Sequence, residues 1–228
     1  MLRRLAASGI VTCCSRTSRT ACSRNSFVYC CRGTCSISHL QTSHCRLKAS
    51  TFSSLPHFAT RRPNQAWVTD ITYVPTVEGW LYLAGVKDLY TCEVVGHAMD
   101  ARMTTDLVQG ALRKAIDIKR PARGLIHHSD RGSQYCAQAY QATLRQFGMI
   151  PSMSRKGNCY DNAPMESFWG TLKNELVHHR RYETREQARR EIAEYIELFY
   201  NRQRRHSRLG NRSPAAFAQQ WARQQPAA

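Results

Sequence analysis

Arg155-Lys156-Gly157-Asn158-Cys159-Tyr160-Asp161-Asn162-Ala163-Pro164-Met165-Glu166-Ser167-Phe168-Trp169-Gly170-Thr171-Leu172-Lys173 begins as a polar, glycine-bearing loop and continues as a helix. Pro164 suits a first helical turn, where its missing N–H has no intrahelical acceptor to satisfy. Asn162 is placed to act as the N-cap, its side-chain oxygen accepting from a freed amide of that turn. At helical spacing Met165, Phe168, Trp169, Leu172 and Leu176 share one side. Glu166 and Lys173 lie nearly in line at the edge of that stripe. A carboxylate with a cation two turns below it, beside a polar loop, suits a site that handles metal and phosphate. An ordinary amphipathic surface helix would show the same pattern, so the choice rests on the segments upstream.

Trp67-Val68-Thr69-Asp70-Ile71-Thr72-Tyr73-Val74 is β-branched and aromatic and reads as a buried strand with an acid in its middle. Leu125-Ile126-His127-His128-Ser129-Asp130-Arg131-Gly132 reads as a short strand that ends at a second acid and turns at glycine. A charge inside a strand is costly to bury without a bound cation or a salt bridge. Asp130 and Glu166 are separated by 35 residues, room for a helix, a strand and the loop.

With that gap, Asp70, Asp130 and Glu166 resemble the DDE triad of the retroviral-integrase superfamily. The flanking words Trp-Val-Thr-Asp-Ile-Thr-Tyr, His-His-Ser-Asp-Arg-Gly-Ser-Gln-Tyr, Ser-Met-Ser-Arg-Lys-Gly-Asn-Cys-Tyr-Asp-Asn-Ala and Phe-Tyr-Asn-Arg narrow it. Together they resemble the integrase-core product (OrfB) of the IS-three-type insertion-sequence transposases, from about Arg62 to about Phe217. The resemblance implies an α/β, ribonuclease-H-like mixed five-stranded sheet flanked by helices, and a metal-dependent DNA strand cleavage and strand transfer. Two Mg2+ ions (Mn2+ can substitute) are implied, with Asp70 bridging both, Asp130 holding one and Glu166 the other. Such ions, roughly 3.5–4 Å apart, activate the attacking oxygen and stabilise the leaving one. Lys173 would meet a DNA phosphate near the scissile position. The implied partners are the element ends and target DNA, a homo-oligomer on that DNA, and a DNA-binding protein from an upstream frame. The implied setting is the bacterial cytoplasm, at the nucleoid.

Other residues are read for DNA contact. Arg155 and Lys156 lie on the loop, and Ser129, Gln134, Asn158, Tyr160 and Asn162 fit a rim whose amides and hydroxyls bind phosphates and base edges. Arg202, Arg204 and Arg205 belong to a basic cluster that suits phosphate. The adjacent strand residues His127 and His128 point to opposite faces, so one is packed and only the other could serve the site. Cys92, Cys136 and Cys159 show no ligand spacing. At Thr91-Cys92 the family more usually has Ser-Arg.

The chain of 228 residues carries 33 Lys and Arg against 16 Asp and Glu, a formal charge of +17. That excess favours a polyanionic partner, and no apolar run is long enough to span a membrane. Residues 1–60 differ from the rest: no Asp or Glu precedes Asp70, and seven of the ten cysteines fall at or before Cys45. An Arg- and Ser-rich start resembles a mitochondrial transit peptide. Cys31, Cys35, His39, His44 and Cys45 form a cluster whose spacing fits no standard zinc site. The favoured reading is a disordered segment translated out of frame, standing where the family carries a helical DNA-binding region.

The expected element order from Trp67 is β-β-β-α-β-α-β-α. An antiparallel meander (67–74, 80–86, 93–98) is followed by a helix capped at Thr104 or Thr105. A strand then runs into Asp130, and a helix over 137–147, a strand over 149–153 and the Glu166 helix complete the order. The catalytic core spans 61–179 and a helical, basic C-terminal part spans 180–228. In the latter, Thr184 and Gln187 make a capping box and Ile192, Tyr195, Ile196 and Phe199 the buried stripe, and Ser213-Pro214 caps a last helix. A ribonuclease-H-type nuclease is the rival of the same fold, but it would place a Glu on the first core helix, and no Glu lies between Glu93 and Asp130. A non-catalytic DNA-binding remnant of a transposase is the other rival.

Overall fold

The computed structural model describes residues 60–154 and 162–225. The readings of residues 1–59, and those of Arg155, Lys156, Asn158 and Tyr160, lie outside the described residues.

Strand β1 (Ala66–Thr76) turns at Val77-Glu78 into β2 (Gly79–Asp88), which pairs with β3 (Val94–Asp100), both contacts antiparallel. Strand β4 (Ile126–Ser129) then runs parallel beside β1, and β5 (Ile150–Met153) parallel beside β4. The sheet order is β3-β2-β1-β4-β5, the mixed sheet that the sequence implies. Side chains alternate between its faces. Trp67, Ala84 and Val86 join a core with α1 (Thr105–Lys119) and α3 (Gln138–Gln146) on one face. Val68, Leu81 and Leu83 join Met165, Phe168, Trp169 and Leu172 of α4 (Ala163–Glu175) on the other.

Thr104 caps α1, its hydroxyl accepting from the Leu107 N–H. A short helix, α2 (Ser133–Cys136), precedes α3 and has no counterpart in the sequence reading. Pro164 sits in the first turn of α4 as expected. Asn162 occupies the N-cap position, but its side chain makes no capping bond. Its Nδ2 donates instead to the Thr69 carbonyl at 3.5 Å.

Thr184 caps α5 (Arg185–Glu194) by accepting from the Gln187 N–H. The return bond of the capping box lands one residue early, with Gln187 Oε1 accepting from the Glu183 N–H at 3.2 Å. The stripe beyond it needs a correction. Residues Tyr195–Tyr200 form a π-helical turn in which the Asn201 N–H donates to the Ile196 carbonyl. The wider turn carries Tyr200 inward in place of Phe199, which is 42% exposed. Asn201 then locks this segment to the sheet: its Oδ1 accepts from the Val94 N–H and its Nδ2 donates to the Val94 carbonyl, both at 2.9 Å. Its own carbonyl accepts from Ala215, at the start of α6 (Pro214–Gln224), which Ser213 caps. Tyr182, Ala188, Ile192, Ile196 and Tyr200 share one buried cluster with β1, β2 and α4, so the chain after residue 180 completes the core face that carries α4.

One buried cation lies in that face. Lys87 of β2 donates to the Pro164 carbonyl at 3.1 Å and lies over the Phe168 and Tyr200 rings, 5.9 and 6.0 Å from their centroids. Burial lowers its pKa to about 8. The folded state therefore binds fewer protons than the unfolded chain between about pH 8 and the ordinary 10.5, and below that window the full cost, roughly 3 kcal/mol, is present. Cation–π contact and the carbonyl bond offset part of it. Lys87→Met keeps the length of the side chain without its charge. It is expected to raise Tm by about 2–4 °C at pH 7, with the gain shrinking as pH climbs toward 10.5. Calorimetry across that range checks both magnitude and trend.

Candidate active site

The parallel pairing of β1 with β4 ends at Val68 opposite His128. Asp70 and Asp130 each lie two residues past that pair, where β4 has stopped and β1 continues against β2 alone. Both acids thus occupy the C-terminal end of a parallel strand pair, where the strands part and a ligand can enter. Asp70 is partly buried on the face that packs α4, and Asp130 is exposed at the strand end.

Asp130 Oδ1 accepts from the Gly132 N–H at 2.9 Å. A Cβ at position 132 would stand 2.9 Å from that oxygen, so glycine lets the turn close under the carboxylate. Arg131 turns away and donates to the Ser154 carbonyl at the end of β5. Glu166, in the first turn of α4, is exposed and has no hydrogen-bond or ion-pair partner among the described residues.

Asp70 feels both of the other acids. Burial is the main cause that pushes the Asp70 pKa up to about 7, and the charges of Asp130 and Glu166 add to it. The Ile71 backbone N–H and the Trp169 indole, 3.0 Å from Oδ2, pull the other way. Burial raises Glu166 as well. No Lys or Arg pairs with any of the three among the described residues. Lys173 is the nearest cation in effect: Asp70 pulls its pKa up against a larger lowering by burial, and its ammonium lies 5.1 Å from the centre of the Tyr73 ring.

The wider set of expected contacts divides. Gln134 reaches the site edge, donating to the Met103 carbonyl at 3.2 Å. Asn162 is buried beneath the site rather than on its rim, and its Oδ1 has no partner among the described residues. Ser129 is also buried, its hydroxyl turned to the Asp130 carbonyl. His127 and His128 do point to opposite faces, but both are packed. His127 bonds the Tyr140 hydroxyl at 3.1 Å and burial lowers its pKa to about 3, while His128 bonds Ser152 and Ser154. Arg202 and Arg205 are exposed. Arg204 is already engaged, with its guanidinium on Glu175 at 2.8–3.0 Å and over the Tyr200 ring. Two residues of the site were read only as apolar or not read at all. Trp169 contacts Asp70 through its N–H, and Gly85 faces Asp70 across the β1–β2 pair.

Comparison with known proteins points to one family. Two family models described as integrase core domain match residues 60–159 and 148–214. An uncharacterized 31 kDa protein of insertion element IS600 from Shigella sonnei is 65% identical over 164 residues, covering 72% of this chain and 60% of that protein. The transposase of insertion element IS904 from Lactococcus lactis is 49% identical over 160 residues, 70% of this chain and 63% of its own length. The chain therefore spans about three-fifths of these curated relatives. Among solved structures, the HTLV-2 integrase catalytic core domain in complex with magnesium superposes with a TM-score of 0.54 at 15% identity, over 69% of this chain and 98% of that one.

The raised Asp70 pKa has a stability consequence in the absence of any cation. Between the ordinary 3.8 and about 7 the folded state holds a proton that the unfolded chain has released, so stability falls as pH rises through that window. Asp70→Asn is expected to raise Tm by several degrees at pH 8 in chelator-treated buffer, with the difference gone near pH 4. Thermal melts at the two pH values check the sign.

Proposed function

Residues 60–214 make this chain a member of the integrase core family, in its insertion-sequence transposase branch, and from that membership we propose that it cuts and joins DNA strands during transposition of an insertion sequence. The observation that carries the proposal is that Asp130 and Glu166 both act on a partly buried Asp70 at one sheet end, with no basic partner for any of the three among the described residues, in a chain with 33 Lys and Arg. Structural salt bridging would have used those cations.

The acids suit a hard divalent ion in donor type, since all are carboxylate oxygens. Asp70 is held partly buried with its charge uncompensated, as a group awaiting a cation would be. Among the described residues no three His, Cys, Asp or Glu side chains are close enough to chelate one ion. The exposed Glu166 is unhindered by any described partner. Asp70, Asp130 and Glu166 would hold the ions. Bound Mg2+, or Mn2+ in its place, would supply Lewis acidity to the attacking and leaving oxygens of a phosphodiester.

The chain's own side chains would do the rest. The Trp169 and Ile71 N–H groups favour the charged form of Asp70 and offset part of the cost of burial. Lys173, beside Asp70, would meet a DNA phosphate. Gln134, Arg202 and Arg205, with Arg155, Lys156 and Asn158 of the loop, would track the backbone through sequence-independent contacts. Water would first free a 3′-hydroxyl at an element end, and that hydroxyl would then attack a second strand. Joining of the two ends into a circle before insertion, assembly of several copies on DNA, and help from an upstream-frame DNA-binding protein belong to the same proposal.

Cleavage and joining of supercoiled plasmid in Mg2+ or Mn2+ tests it. Glu166→Gln is expected to lose at least about a hundredfold in rate while keeping salt-dependent DNA binding. Equal activity in both proteins would remove the triad assignment. Binding without cleavage by the wild-type chain would leave a DNA-binding remnant.

A further inference from the structure

Trp169 is the one apolar-stripe residue of α4 that touches a site acid. It lies one helical turn beyond Glu166, on the side that faces the sheet. Its indole is 6% exposed and donates from Nε1 to Asp70 Oδ2 at 3.0 Å. Packing alone does not need that atom, because a phenylalanine fills the same hydrophobic stripe with no donor.

A second observation points the same way. Gly85 of β2 stands directly across from Asp70 in the β1–β2 register. A Cβ there would lie 2.8 Å from the indole Cη2, 3.3 Å from Cζ2 and 3.2 Å from Met165 Cε. Real Cβ contacts are essentially never so short, so any other residue at 85 would displace the ring. The bare backbone of Gly85 is the seat on which the indole lies, and from that seat Nε1 reaches Asp70. The backbone there is fixed in turn by the Thr69 hydroxyl, which donates to the Gly85 carbonyl at 2.8 Å.

We infer that Trp169 is a positioning residue for Asp70, seated by Gly85, which ties one carboxylate oxygen to α4 and so fixes the aim of the other. One helix then supplies both Glu166 and the group that orients Asp70, so the two acids are set relative to each other by α4 itself. Bonds of this kind orient a ligand and hold it charged, and losing one typically costs 10–100-fold in metal affinity. The inference rests on the reading of Asp70 as a metal ligand.

Titration of the full chain with Mg2+ tests it, following tryptophan emission and Tm in parallel in wild type, Trp169→Phe, Gly85→Ala and Asp70→Asn. The expected result is a wild-type emission change that saturates together with the Tm shift and is missing in Trp169→Phe. The Mg2+ midpoint of Trp169→Phe is expected to rise about 10–100-fold. Gly85→Ala, which keeps every polar atom, is expected to raise the midpoint in the same direction, and it carries the test if the Phe variant folds poorly. Wild-type midpoints in Trp169→Phe and Gly85→Ala, with a Tm shift still abolished by Asp70→Asn, would overturn the inference and leave the metal reading standing. A Tm shift absent from wild type, or unchanged in Asp70→Asn, would overturn that reading and this inference with it.

Discussion

Uncompensated negative charge at the end of a parallel strand pair is the constraint around which the described fold is arranged. Asp70 is pushed up to about 7 there, chiefly by burial and further by the charges of Asp130 and Glu166. A fold tolerates such a cost when stability elsewhere exceeds it. Here the compensation is the double core: one hydrophobic cluster on each face of a five-stranded sheet, with the site at the point where β4 stops and β1 continues.

The C-terminal segment belongs to that compensation. Asn201 presents its side-chain amide to the Val94 backbone as a neighbouring strand would, and its carbonyl receives α6. The π-helical turn just before it sets the angle at which Tyr200 enters the core beside Phe168, with ring centres 4.7 Å apart. Phe168 lies two residues beyond Glu166 on α4. The Phe-Tyr-Asn-Arg stretch therefore acts on the site from behind, by bracing the helix that carries the third acid.

Asp70, Asp130 and Glu166 stand out in the sequence because each interrupts or edges an apolar pattern, and the resemblance to integrase cores groups them. The element order was legible from β-branched runs, turn residues and a capped helix, while the mixed sheet was implied by the resemblance. The features that escaped depend on cross-chain geometry. Gly85 has meaning only once its partner across the sheet is known to be Asp70. Trp169 reads as hydrocarbon in a stripe, and its N–H gains a role only in three dimensions. Phe199 was placed inside by a 3.6-residue period that a π turn breaks. Arg204 was read for DNA phosphate because Glu175, its partner, lies far back in the chain. Asn162 looked like a cap because caps are local, whereas its contact with Thr69 is not.

These long-range features converge on α4. Its first turn holds Glu166, its next turn the indole that grips Asp70, and its last turn Lys173, which senses the charge of Asp70. Lys87 fixes the helix start from β2 through the Pro164 carbonyl, at its own desolvation cost. A helix so tied transmits any displacement to all three groups together. The buried lysine and the buried acid oppose folding with charges of opposite sign, yet neither neutralises the other. Each is held by a contact to α4 instead, and apolar packing alone would need neither contact. The charge on Asp70 and the position of α4 are therefore coupled: whatever cation relieves the first also strengthens the constraint on the second.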